Sequence, residues 1–287
     1  MRSVFSVSGM RALVRDGKVE LAERAVPALA EDEVLVHVRR AGICRTDVYV
    51  AEGKLAVREP RVLGHEAAGV VASEHPRLPR GARVAIDPIR PCMLGVERDG
   101  AFAEFVAVPA STLHRVPDDL AWEAAAMAEP VAAALGVLRA PIHKRARGAV
   151  HGVGRIADLI ARVLEAAGFS PIRWDGADAP SDLDWVVETR PDALSDLMRA
   201  LRPGGTLVLK SRPPAPAALD VALAVSREIT LVARSWGAFD DAVTWLATGR
   251  VRVDDLVGET YPLERFEAAF AAARRSEKQK IFLSMER

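Results

Sequence analysis

The stretch Arg147-Gly-Ala-Val-His-Gly-Val-Gly-Arg-Ile-Ala157 decides the fold. A short apolar strand runs into a Gly-x-Gly-x-x-Ala turn at Gly152, Gly154 and Ala157, and a helical pattern follows from about Arg155 to Ala167. The first glycine permits a tight turn and the second lets the backbone approach a pyrophosphate. The alanine in third place allows close helix–strand packing. The positive end of the helix favours the anion. Such a turn is weak evidence by itself. Here it lies between strand and helix, and Ile172-Arg-Trp-Asp175 ends in an acid about twenty residues on, where a ribose hydroxyl is expected to be read. The Asp175 carboxylate would repel a 2'-phosphate, so NAD is expected over NADP.

Outward from this turn, the apolar runs at 149–151, 172–174, 185–188, 206–210 and 229–233 predict five strands. Only Gly176 to Leu183 separates Asp175 from the run Asp184-Trp-Val-Val-Glu188. A parallel strand needs a crossover of about a dozen residues with its helix. One helix and an outer edge strand are therefore expected to be missing, leaving a shortened, doubly wound parallel sheet with part of an adenine pocket gone. Arg202-Pro-Gly-Gly205 predicts a plain turn before a strand.

Upstream, Met10–Arg15 and Val19–Arg24 flank Asp16-Gly17 as a hairpin, and Glu33–Arg40 alternates as a half-buried strand. Further short strands are expected at 67–73, 83–87 and 103–108, a spacing that suggests a compact antiparallel barrel. Between them lies Ala41-Gly-Ile-Cys-Arg-Thr-Asp-Val-Tyr49, followed by Leu63-Gly-His-Glu-Ala-Ala-Gly-Val-Val71. These segments supply a thiol (Cys44), an imidazole (His65) and the carboxylates Asp47, Glu52 and Glu66. Zinc takes S, N and O ligands, and a catalytic site keeps one position open. Residue types alone leave a purely structural role open for each of these groups. Trp122–Leu138 predicts a buried helix, within which Glu129 is costly unless paired or metal-bound. Pro130 fits a first helical turn and so favours a helix start near Glu129.

Gly-Ile-Cys-Arg-Thr-Asp followed by Gly-His-Glu resembles the signature of the medium-chain, zinc-dependent alcohol and polyol dehydrogenases. Asp99-Gly-Ala-Phe-Ala-Glu-Phe-Val-Ala-Val-Pro109 and Met127-Ala-Glu-Pro-Val-Ala-Ala-Ala134 match the same family, and the similarity runs over nearly the whole chain. The resemblance implies an α/β protein: a GroES-like β-barrel catalytic domain (1–140 and 238–287) and a shortened Rossmann domain (141–237). It implies one catalytic zinc held by Cys44, His65, Glu66 and Glu129, with Asp47 orienting His65. Thr46, Cys44 and His65 would be the catalytic residues, Thr46 accepting the substrate proton. Arg45, Gly152, Gly154, Ala157 and Asp175 would bind the dinucleotide. Relatives often carry a second, structural zinc on four closely spaced cysteines. Ile86–Arg98 holds Cys92 only, so no structural zinc is expected. Tyr49, His37 and His114 are assigned no chemistry.

The implied activity is hydride transfer between an alcohol or polyol, or its carbonyl product, and NAD(H). The alternative is a non-catalytic dinucleotide-binding or structural relative that has lost activity; a zinc-free quinone-type reductase fits poorly with Cys44 and His65 present. Thirty-nine basic residues against thirty-nine acidic ones argue against nucleic-acid or anionic-membrane partners. No run of apolar residues is long enough to span a bilayer, the N-terminus lacks a secretory pattern, and cysteine is scarce. A cytoplasmic protein acting on a small molecule, as a homodimer, is expected. Val48, Tyr49, Leu55 and Trp236 are the expected pocket lining.

Overall fold

The computed structural model describes residues 9–89, 91–176 and 178–286. In chain order the first elements are β1 (Met10–Asp16), β2 (Lys18–Arg24), β3 (Glu33–Gly42), α1 (Arg45–Ala51), β4 (Arg61–Val62) and β5 (Glu66–Val71). They continue through β6 (Arg83–Ile86), β7 (Phe105–Pro109), β8 (Leu113–Arg115), α2 (Trp122–Ala126) and α3 (Ala128–Leu135). The second set is β9 (Gly148–His151), α4 (Arg155–Ala166), β10 (Ile172–Trp174), β11 (Leu183–Glu188), α5 (Leu194–Ala200) and β12 (Leu201–Leu209). It ends with α6 (Val221–Ser226), β13 (Thr230–Ala233) and α7 (Phe239–Ala247), and the chain closes with β14 (Val257–Pro262), α8 (Phe266–Arg275) and β15 (Lys280–Ser284).

The chain divides into two compact units, Met1–Glu129 with Asp254–Arg287, and Pro130–Val253. The sequence places these boundaries at 140 and 237. Contacts inside the second unit account for the difference. Gly237 N donates to Ala132 O at 2.7 Å, and Arg234 Nε donates to Arg139 O. Arg162 and Arg250 donate to the carbonyls of Arg252 and Ala166. Most of α3 and all of α7 are thereby tied to the parallel sheet.

The first unit carries a sheet ordered β14-β15-β3-β5-β6-β8, with β7 also on β3, and a smaller sheet ordered β2-β1-β4. Every pairing is antiparallel except β14 with β15. Alternation in β3 buries Val34, Val36 and Val38 completely, as a strand with one apolar face must. Those side chains join Leu13, Val84, Phe102, Leu263 and Phe270 in one core. Gly17, at φ 68°, makes the hairpin turn between β1 and β2.

The second unit is a five-stranded parallel sheet ordered β10-β9-β11-β12-β13. The first strand in sequence, β9, has β10 on one side and β11 on the other. Beyond β10 there is no further strand among the described residues, and the link from β10 to β11 holds no helix among its described residues. Helix α4 buries Leu159, Ile160, Val163 and Leu164, the stripe that its 3.6-residue period places on one face. The turn expected at Arg202–Gly205 is drawn into β12 instead, as a register irregularity between the pairs Leu183–Leu201 and Trp185–Thr206. The single helix expected over 122–138 is broken at Met127 into α2 and α3, followed by a 3-10 turn over Gly136–Arg139. Among the described residues no helix is long and apolar enough to cross a membrane.

Candidate active site

Helix α1 begins directly after Cys44. The Cys44 N–H donates to Asp47 Oδ2 at 2.8 Å, so the carboxylate in the first turn satisfies an otherwise unpaired helix-end donor. The other oxygen, Asp47 Oδ1, accepts from Gly64 N at 3.2 Å and stands 3.4 Å from His65 Nδ1. That last contact is electrostatic, since Nδ1 makes no hydrogen bond of good geometry. One buried carboxylate thus holds both the thiol-bearing turn and the segment before β5, and it faces the imidazole. Nδ1 turned to Asp47 leaves Nε2 of His65 for another partner.

Ligand atoms of Cys44, His65 and Glu66 all lie within 4.8 Å of one another, with His65 and Glu66 buried and Cys44 half-buried. Bonds of about 2.0–2.3 Å to a single tetrahedral ion require spacing of this order. Burial works against a charge on His65, but Asp47 first and Cys44 next outweigh it and raise its pKa well above the usual value. The S, N and O donors and their spacing fit zinc.

Glu66 has a second neighbour. The ammonium of Lys280, from β15, abuts its Oε2, and both side chains are almost wholly buried, at 1% and 2% exposure. Lys280 Nζ also donates to Ile43 O at 3.2 Å. A buried pair of this kind is costly to break, because the surviving charge is left without compensation. Sequence reasoning missed Lys280; its one signal was a lysine opening the apolar run Lys-Ile-Phe-Leu. Glu129 is buried in the first turn of α3 and is not among the grouped ligand atoms. Thr46 is half-buried, its Oγ1 3.8 Å from Cys44 Sγ, and Arg45 is exposed at the start of α1.

In the second unit Gly152 and Gly154 take φ of 118° and 91°, backbone geometry that side chains other than glycine rarely adopt. A Cβ on Gly152 would lie 2.2 Å from Thr189 Oγ1. Ala157 is buried where α4 meets the sheet. Gly152, Gly154, Ala157 and Asp175 line one groove together with Asp158, Arg173 and Trp174. Asp158 Oδ1 holds Arg173 Nη1 at 3.0 Å, and Glu165 holds its Nη2 at 3.0 Å.

Comparison with known proteins bears on the fold and on the class of activity. The alcohol dehydrogenase GroES-like domain matches residues 30–118. Sorbitol dehydrogenase of Gallus gallus is 27% identical, over 95% of this chain and 95% of its own length. The D-xylulose reductase of Morganella morganii is 26% identical, over 92% and 97%. Over nearly its whole length the chain is thus similar to alcohol and polyol dehydrogenases, and residues 30–118 carry their GroES-like domain. Among solved structures, 2R,3R-butanediol dehydrogenase from Bacillus subtilis superposes with a TM-score of 0.85 at 22% identity, covering 96% of this chain and 99% of that one. L-idonate 5-dehydrogenase from Escherichia coli superposes with a TM-score of 0.86 at 22% identity, over 96% and 98%. The chain thus shares the fold of these two enzymes. The alignment to the Gallus enzyme extends over 336 positions, more than the 287 residues of this chain. This chain is therefore shorter by omissions inside the fold.

Proposed function

We propose that this chain is a member of the medium-chain dehydrogenase/reductase superfamily, a zinc-dependent dehydrogenase that transfers a hydride between an alcohol or polyol, or the corresponding carbonyl compound, and NAD(H). The observation that carries the proposal is the convergence of Cys44, His65 and Glu66 within 4.8 Å. Zinc held there would supply Lewis acidity toward a substrate oxygen. Cys44 and His65 are proposed as its fixed ligands, Glu66 as the third, and Glu129 as a fourth that completes the set. Asp47 fixes the tautomer and orientation of His65. Thr46, beside Cys44, receives the proton that leaves the substrate hydroxyl. Gly152, Gly154 and the N-terminus of α4 take the pyrophosphate, with Ala157 allowing the close packing and Arg45 adding a guanidinium. Asp175 reads the adenosine ribose. Two carboxylates, Asp158 and Asp175, line that groove, and Arg173 is occupied by Asp158 and Glu165; both facts support NAD over NADP. Relatives named for sorbitol and xylulose direct the first substrate screen to polyols and their ketones.

A cytoplasmic homodimer is part of the proposal. Its support is β13, which has β12 on one side and no described strand on the other, with Leu231 exposed there and Val221 and Val225 of α6 63% and 72% exposed.

Elemental analysis of the purified protein beside Cys44→Ala tests the central claim. About one zinc per chain, lost in the variant together with polyol-dependent NAD reduction, is expected. A folded wild-type protein that binds no zinc would refute it.

A further inference from the structure

The residues from Leu94 to Phe102 pack against the backbone that leads into His65. Gly100 N donates to Val62 O at 2.8 Å, Ala101 N to Gly64 O at 2.9 Å and Phe102 N to Leu63 O at 2.8 Å. Val62 N returns a bond to Asp99 Oδ1 at 3.0 Å. Just before this ladder, the loop folds on itself through Gly95 N to Arg98 O at 2.8 Å and a bridge between Leu94 and Arg98. It is anchored at both ends. Leu94, 2% exposed, donates its N–H to Pro88 O at 2.9 Å. Arg98 Nη2 donates to Glu33 Oε1 at 2.7 Å and to Ala107 O at 2.6 Å.

The point of contact is glycine against glycine. A Cβ on Gly95 would lie 2.7 Å from Gly64 O and 2.8 Å from Gly64 N, closer than real side chains come to backbone. Gly64 is the residue before His65, and its N–H is held by Asp47 Oδ1, the carboxylate that faces His65. A loop fixed by Arg98 cannot swing away, so a displacement forced at Gly95 passes to Gly64 and from there to Asp47, His65 and Glu66.

We propose that the loop Leu94–Asp99 is a positioning device for the metal ligands His65 and Glu66, with Gly95 as its bearing surface. The proposal rests on the metal assignment above. Gly95 is a positioning residue: it touches no ligand and acts through Gly64.

Cobalt(II) titration of the metal-free protein, followed by absorption, tests it with Gly95→Ala and Gly81→Ala side by side. Gly81 also has positive φ, at 87°, but a Cβ there meets nothing within 4 Å, so it reports backbone strain alone. Gly95→Ala should weaken cobalt binding about tenfold or more, the size usual for losing a group that orients a ligand. Gly81→Ala should stay within about twofold of wild type. The sulfur-to-cobalt band should persist in Gly95→Ala, since Cys44 sits on α1, while the d–d bands shift as His65 and Glu66 move. Equal affinities for the two variants would overturn the inference and leave the metal assignment intact. A wild-type protein that takes up no cobalt would remove the metal assignment and this inference with it. Should Gly95→Ala fail to fold, Arg98→Met releases the anchor instead. Weakened cobalt binding restored by Arg98→Lys is then expected, and unchanged binding in Arg98→Met would overturn the inference.

Discussion

The chain is shorter than the Gallus relative it matches, and the two places where the sequence points to omissions differ in structure. In the first unit, Leu94–Asp99 folds into a tight loop whose Gly95 lies against the backbone of Gly64 and whose half-buried Arg98 makes two hydrogen bonds. In the second, the link from β10 to β11 is exposed over most of its described length, and Asp178 and Asp182 take positive φ. The difference follows from what each cut lies against. A gap beside buried backbone leaves polar groups without water, which must be satisfied by other backbone. A gap at a sheet edge leaves groups that solvent can satisfy, and there the edge strand is short and carries a charged residue, Arg173, locked between Asp158 and Glu165. Short, charged edges resist pairing with other chains. The first closure therefore lies against the backbone before His65, and the second lies at the open sheet edge that follows Asp175.

The largest effect expected is at the sealed site. Phe102 is fully buried, with its ring against Gly64, so Phe102→Ala should cost about 3–5 kcal/mol and weaken metal binding. Trp185→Ala, equally buried in the parallel sheet, should cost a similar amount and leave metal affinity unchanged. Denaturant unfolding and cobalt titration of both variants check the contrast, which fails if both lose metal alike.

Next comes Lys280→Met. Removing the ammonium leaves the Glu66 carboxylate buried without compensation, a loss of about 3–5 kcal/mol in the metal-free protein. Bound zinc should restore part of that loss, because a cation again faces the carboxylate. Thermal unfolding with and without zinc measures it, and a loss that zinc does not reduce would separate Glu66 from the metal.

Smaller is the effect of lengthening the open link. Four Gly/Ser residues inserted between Ala179 and Pro180 should cost about 0.6 kcal/mol or less, as loop closure predicts. The same insertion between Gly95 and Val96 should abolish tight metal binding. Comparable outcomes at the two sites would erase the distinction.

Smallest is a pH effect. Burial, ahead of its charged neighbours Asp192, Arg190 and Glu188, lowers the His151 pKa below 6.5. The unfolded chain then binds more protons, so His151 should make stability fall as pH drops below about 6.5. His151→Gln should flatten that slope in urea unfolding at pH 5 to 7.5, and an unchanged slope would assign it to other groups.

By itself the sequence determined the elements whose signals are local. The strand, glycine turn and helix around Gly152 and Gly154 were legible because positive φ, an anion-binding helix end and a 3.6-residue apolar stripe are written in neighbouring residues. The five parallel strands were legible from their apolar runs, and the missing edge strand from a link too short to hold a crossover. Cys44, His65 and Glu66 were singled out by the resemblance their motifs carry, since residue types alone left a structural role open for each.

Tertiary structure alone decided what depends on chain segments distant in sequence. Lys280 reaches Glu66 only because β15 pairs with β3, across more than two hundred residues, and a single lysine in an apolar run carries no address. Gly95 meets Gly64 only because the short loop folds back over the segment before β5. The division of the molecule likewise follows hydrogen bonds such as Gly237 to Ala132, which draw α3 from Pro130 onward into the parallel-sheet unit and leave Glu129 in the first. Local propensity and residue chemistry are properties of a few consecutive side chains. Charge compensation in a buried site, and the close approach of two backbones, exist only once the chain has folded.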